Sequence, residues 1–173
     1  MRASRLVGFG MLIVLFDLRY EGFDILVDLA GWLLAYAGLR KLIALDKAFR
    51  AAAAFAVIGA ISSVTELFSW SDAGVNWLTV LATIAWAGVA IAGCTGLLRV
   101  GDKRVGNYAR RLRSALFVAA VMTLLVGWGT DAEGGLGLLA FLTVMLAFGT
   151  GVLFILLMLS WQHPATERSE ATT

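Results

Sequence analysis

The sequence predicts an all-α protein, a polytopic transmembrane helix bundle of about six spans with both termini cytoplasmic. Three observations lead there. Apolar residues make up 60% of the 173 and charged residues 15%, with a mean hydropathy of +0.86. A soluble domain is roughly 45–50% apolar and about 25% charged, so one water-soluble core could not bury this mixture. The apolar residues gather into six long runs. Thirteen of the fourteen Lys and Arg fall in clusters that alternate with those runs: Arg2 and Arg5; Arg40, Lys41, Lys47 and Arg50; Arg99, Lys103, Arg104, Arg110, Arg111 and Arg113; and Arg168. Cytoplasmic loops hold the Lys/Arg excess because positive side chains resist translocation and favour the anionic inner leaflet.

A helix crosses the bilayer core with about 20 apolar residues, since each residue rises 1.5 Å and every backbone polar group must bond internally. The expected spans are Leu6–Tyr20, Phe23–Leu42, Ala51–Trp70, Asn76–Leu98, Ser114–Gly129 and Leu136–Trp161. The first follows Arg2 and Arg5 as a signal peptide would. Asp17-Leu18-Arg19-Tyr20-Glu21 stands where a cleavage site would need small residues, so it reads as an uncleaved span. It is short, as is the fifth; a five-span chain would leave the first run re-entrant or interfacial. Six spans place the acidic turns at Asp17 to Asp24, Ser71 to Val75 and Thr130 to Gly135 outside, with Arg19 as the single base among them.

Inner connections are expected to be longer and basic. Leu39 to Arg50 carries Leu39, Leu42, Ile43 and Phe49 at helical spacing. It is either the end of the second span, with Arg40 and Lys41 snorkelling, or a short helix on the inner surface. Arg99 to Arg113 reads as a lipid-binding loop, with a docking site for a cytoplasmic partner as the other reading. Residues 1–161 form one transmembrane domain, and 162–173, which hold the only proline, Pro164, read as a polar disordered tail. Gly88, Ala92 and Gly96, like Ala147 and Gly151, make faces small enough for close helix packing, within the chain or between two copies. Trp32 and Trp86 fall mid-span and should pack between helices. Cys94 reads as a small buried hydrophobe, and Met122, Met145 and Met158 as fillers. Trp70-Ser-Asp-Ala-Gly and Trp128-Gly-Thr-Asp-Ala-Glu-Gly echo one another at the ends of two spans, as hairpin repeats or as ordinary interfacial Trp turns.

Chemistry concentrates in the outer half. Asp24, Asp28 and Gly31 share a helical face, and Asp28 stands in apolar sequence, where a charge at a helix centre costs on the order of 2.5–3.5 kcal/mol. Glu66, in Ser62-Ser63-Val64-Thr65-Glu66, lies about 6 Å from the outer boundary by helical rise. Either both carboxylates snorkel to the interface, or Arg19, Asp24, Asp28, Ser62, Ser63 and Glu66 form a polar pocket that binds a cation or relays a proton, or an ion pair serves helix assembly alone. The stretch Asp17, Arg19, Phe23, Asp24, Ile25, Leu26, Asp28, Gly31 and Trp32 resembles a segment of small multi-spanning bacterial membrane proteins with the pattern N/D-x-R-x-x-x-F-D-I-L-P-D-x-x-G-Y/W. Val27 stands where that pattern has proline, which puts a tight turn there in doubt. The resemblance covers about 30 of the 173 residues and implies a shared membrane fold in a bacterial plasma membrane, with no particular activity.

The remaining classes find little support. His163, the single histidine, follows the last span, so it cannot ligate haem or act as a base within the bilayer. There is no HExxH, GxxxxGK[ST], GxSxG or metal-ligand spacing, and the lone cysteine makes no CxxC. No cofactor or metal is expected. An intramembrane lipid-modifying enzyme would have carboxylates without a histidine. The basic residues flank apolar runs instead of forming a stripe beside stacking aromatics, so nucleic acid is not the expected partner. Expected partners are anionic headgroups at Arg40, Lys41, Lys47, Arg50, Lys103, Arg104, Arg110, Arg111 and Arg113, a second copy, or another membrane protein. The function expected is that of an accessory, scaffold or assembly subunit; the alternative is a small oligomeric transporter or channel using the outer carboxylates.

Overall fold

The computed structural model describes residues 3–16, 24–66, 77–129 and 137–161. Regular structure there is helical throughout: α1 (Ala3–Phe16), α2 (Asp24–Leu42), α3 (Ala48–Glu66), α4 (Trp77–Val100), α5 (Lys103–Gly129) and α6 (Gly137–Ser160). Among the described residues three helices are long and apolar enough to cross a membrane, over Ala48–Thr65, Val80–Val100 and Leu139–Ser160. Of each window 39% is buried, and the remaining positions, half-buried or exposed, are also mostly apolar, whereas a helix on a soluble bundle turns a polar face outward. The other three depart from that pattern for identifiable reasons. α1 has 14 residues, α2 carries Asp24, Asp28, Arg40 and Lys41, and the first three turns of α5 are basic.

Two expectations are corrected. The stretch from Lys103 to Arg113 is helix, not loop, and α5 starts eleven residues before the expected Ser114. Asp102 causes this: its Oδ1 accepts the Val105 N–H at 2.8 Å, a helix N-cap, and Ala109, Leu112 and Leu116 then present a buried face at i, i+3 and i+7. The inner connections are also short. Only Gly101 and Asp102 separate α4 from α5, and residues 43–47 separate α2 from α3. Of the two readings of Leu39 to Arg50, α2 simply continues to Leu42. The chain then turns through Leu45 N–H to Leu42 O at 2.9 Å, and Asp46 Oδ1 caps α3 on the Ala48 N–H at 2.7 Å. Leu39, Leu42 and Phe49 are buried as the spacing required.

Packing follows chain order. Each helix lies against the next, α6 returns to α1 to close a ring, and α4 meets α6 across it. Close fits between backbones and aromatic rings hold the ring together. A Cβ on Gly10 of α1 would fall 2.5 Å from the Gly31 carbonyl and the Ala35 nitrogen of α2, so those two helices meet backbone to backbone. Elsewhere a glycine seats a ring: Gly59 takes Trp32, Gly88 takes Phe55, Gly96 takes Phe49, and Gly151 takes Trp86. The small-residue faces read from the sequence therefore serve packing within the chain. Trp32, Phe49, Phe154, Met11 and Met158 fill the interior and Cys94 is buried among them, whereas Met145 is exposed on α6 instead of filling the core.

Gly59→Val should lower stability in detergent by about 1–3 kcal/mol, because the Trp32 ring occupies the space of any side chain there. Gly149→Ala, with nothing within 4 Å of its Cβ, should be neutral or stabilising by up to about 1 kcal/mol. Thermal unfolding of the purified variants checks both; equal melting temperatures would contradict the seating.

Candidate functional site

Two polar regions lie at opposite ends of the ring. At one end, the seat of Trp32 on Gly59 sets the register of α2 against α3. Asp28 is one turn beyond Trp32, and Ser62 and Ser63 are one turn beyond Gly59, so all three occupy one level near the acidic end. Asp28 Oδ1 is buried, and Ser62 and Ser63 are 2% and 7% exposed. Both hydroxyls donate to the Gly59 carbonyl, at 2.8 and 3.1 Å. With their protons committed to the helix, these oxygens offer lone pairs, which suits them to receive a proton donor or a cation. Asp24 begins α2 and Glu66 ends α3, one further turn out. The side chains of Asp24 and Glu66, all of Arg19, the three outer turns and the 162–173 tail lie outside the described residues, as do Trp70 and the Trp128 side chain.

Some polar groups escaped the sequence reading. Thr143 and Thr150 of α6 are buried and donate to Leu139 O and Leu146 O, each at 2.8 Å. Their spacing of seven in an apolar run was the available signal. The Trp86 indole nitrogen is buried and, among the described residues, has no hydrogen-bond partner. No group of three or more His, Cys, Asp or Glu that could hold a metal ion occurs among the described residues.

The opposite end is cationic. The starts of α1, α3 and α5 and the ends of α2, α4 and α6 meet there, bringing together Arg5, Arg40, Lys41, Lys47, Arg50, Arg99, Lys103, Arg104, Arg110, Arg111 and Arg113. Arg113 is half-buried and the others are exposed. Among the described residues, Asp46 and Asp102 stand against these eleven cations, both committed to helix caps, and Asp46 also accepts from Arg99 at 3.3 Å. Arg99 is about half exposed, so that pair contributes little. Lys103 and Arg104 sit in the first turn of α5, where cations oppose the helix dipole by some tenths of a kcal/mol. Their placement disfavours the helix locally, and the Asp102 cap at the same terminus offsets it.

Beneath the cations the ring is closed. Trp161 stacks on Phe49 with centroids 6.4 Å apart and planes at 20°, Phe49 sits on Gly96, and the Ser4 hydroxyl donates to the Trp161 carbonyl at 2.9 Å. The sequence showed Trp161 only as the end of a span; in the fold it joins α1, α3, α4 and α6. Trp161→Ala should cost about 3–5 kcal/mol, against about 1 kcal/mol for Ser4→Ala, whose hydroxyl makes one bond. Chemical denaturation in detergent compares them, and equal losses would show that the stack does not close the ring.

Compared with known proteins, the chain matches no family model, and no curated protein or solved structure matches it.

Proposed function

We propose that the chain is a six-span protein of a bacterial plasma membrane, with both termini and its cationic end on the cytoplasmic side, and that it serves as an accessory, scaffold or assembly subunit. The observation that carries this reading is the cationic end itself: eleven basic side chains, nearly all exposed, stand over an interior filled by apolar and aromatic groups. Such a face is built to be met from outside, by anionic headgroups and by an acidic surface of a partner protein. Among the described residues its two acids, Asp46 and Asp102, already cap helices. Six spans follow if α3, α4 and α6 cross, because α2 and α5 pack along them between the same two ends and α1 closes the ring. The positive-inside bias then sets the orientation.

A second reading, a small transporter or channel, draws on the Asp28 level. A buried carboxylate oxygen at the level of two buried serines, on a helix of mostly apolar residues, is the kind of group that marks an ion or proton path. The Phe49–Trp161 closure weighs against a continuous path in this conformation.

Replacing Arg110, Arg111 and Arg113 with Ala should remove a partner that co-purifies with the unaltered chain in mild detergent, and proteoliposomes should show no ion or proton flux. Flux that Asp28→Asn abolishes while the protein stays folded would overturn the scaffold reading in favour of transport. Co-purifying proteins unchanged by the triple substitution would remove the cationic end from partner binding.

A further inference from the structure

The outer surface between α2 and α3 carries an apolar groove of about 420 Å³, within the size range of small-molecule sites. Leu29, Leu33 and Tyr36 form one wall and Val57, Ile61 and Val64 the other, and Trp32, Ala56 and Ala60 make the floor. It exists because α3 puts the methyl side chains of Ala56 and Ala60 where larger groups would close the gap. Ile61 on its rim is 58% exposed.

Both walls lead to cations. On α2, Leu29, Leu33, Tyr36 and Arg40 follow one another at i, i+4, i+7 and i+11. On α3, Val64, Ile61, Val57, Ala54 and Arg50 run the opposite way along one face. Arg40 and Arg50 are exposed, and the 43–47 turn joins the two helices just beyond them. From Leu29 to Arg40 the helix rises about 16 Å, about half the ~30 Å hydrocarbon core. The lined groove itself runs from Leu29 to Tyr36, about 10 Å of helix rise, and Arg40 and Arg50 lie beyond its inner end, so an apolar trough for a chain leads toward two exposed guanidiniums. Guanidinium forks suit phosphate oxygens. Asp46, the acid nearest in sequence, is held by the α3 cap and Arg99.

We propose that this groove binds one anionic phospholipid, its acyl chain along Trp32, Ala56 and Ala60 and its headgroup phosphate between Arg40 and Arg50. The site rests on the membrane reading above and narrows it from a general attraction for anionic lipid to a single seat on α2 and α3. Tyr36, one turn from Arg40, is the lining residue of α2 nearest that cation in sequence.

Native mass spectrometry of the full chain in detergent, titrated with phosphatidylglycerol or phosphatidylcholine, tests it. One phosphatidylglycerol should stay bound in preference to phosphatidylcholine. Arg40→Ala with Arg50→Ala should weaken that retention about 25-fold, two cations at roughly a factor of five each. Ala60→Leu, which fills the floor and leaves every charge in place, should also displace the lipid, with folding confirmed by thermal unfolding. Lys103→Ala with Arg104→Ala, on α5, should leave it bound. Equal retention of both lipids, equal loss with the α5 pair, or a dimer that Ala60→Leu dissolves without any lipid change would each overturn the proposal. If the chain instead partitions into buffer without detergent, the membrane reading itself falls; a chain that stays in the membrane fraction without a retained lipid sinks only the groove.

Discussion

Positive charge held at one end of six alternating helices is the constraint on which the rest of the structure depends. Because α2 turns into α3 within residues 43–47 and α4 into α5 within Gly101 and Asp102, clusters far apart in sequence meet on one surface. Among the described residues that surface carries two acids, Asp46 and Asp102, too few to neutralise eleven cations. Like charges crowded so closely repel one another, and the repulsion is tolerable only where water, salt or anionic headgroups screen it. The same crowding gives the molecule its polarity: eleven cations at one end, the Asp28 level toward the other.

Cohesion between the helices has a different origin. On the membrane reading proposed above, with lipid outside and apolar side chains inside, burial contributes little to bringing helices together, and close packing supplies the attraction. That explains why rings meet glycines instead of other large side chains: Trp32 on Gly59, Phe55 on Gly88, Phe49 on Gly96 and Trp86 on Gly151. Each seat trades a side chain on one helix for a large, flat contact on its neighbour. The Trp32 seat also sets the level of Asp28 against Ser62 and Ser63, and its indole backs the α2–α3 groove. One fit therefore serves the core, the polar level and the outer surface.

Much of this was legible in the residues. Apolar runs predicted six helices, and the basic clusters predicted which ends meet. The small-residue pattern at Gly88, Ala92 and Gly96 foretold close packing. Its purpose was not legible, since spacing alone cannot tell a seat for a ring from a contact between two backbones. The start of α5 was misread because a run of Arg and Lys looks like a loop by hydropathy, although Asp102 at the cap and the Ala109, Leu112, Leu116 face carried the helical signal. Asp28, Ser62 and Ser63 were found by their polarity in apolar surroundings, and the fold puts them on one level. Trp161 and the groove were not found, because each depends on which helices lie side by side, and ring closure of α6 on α1 leaves no mark in local sequence.

Threading is the central claim, and cysteine accessibility measures it most directly. In a Cys94→Ala background, single cysteines replace Lys47 and Lys103 on the cationic turns, and Ala73 and Glu133 in the acidic segments. A membrane-impermeant thiol reagent is then applied to spheroplasts before and after lysis. The account predicts labelling at 73 and 133 from outside, and at 47 and 103 only once the membrane is opened. Labelling of 47 or 103 from the same face as 73 would contradict it.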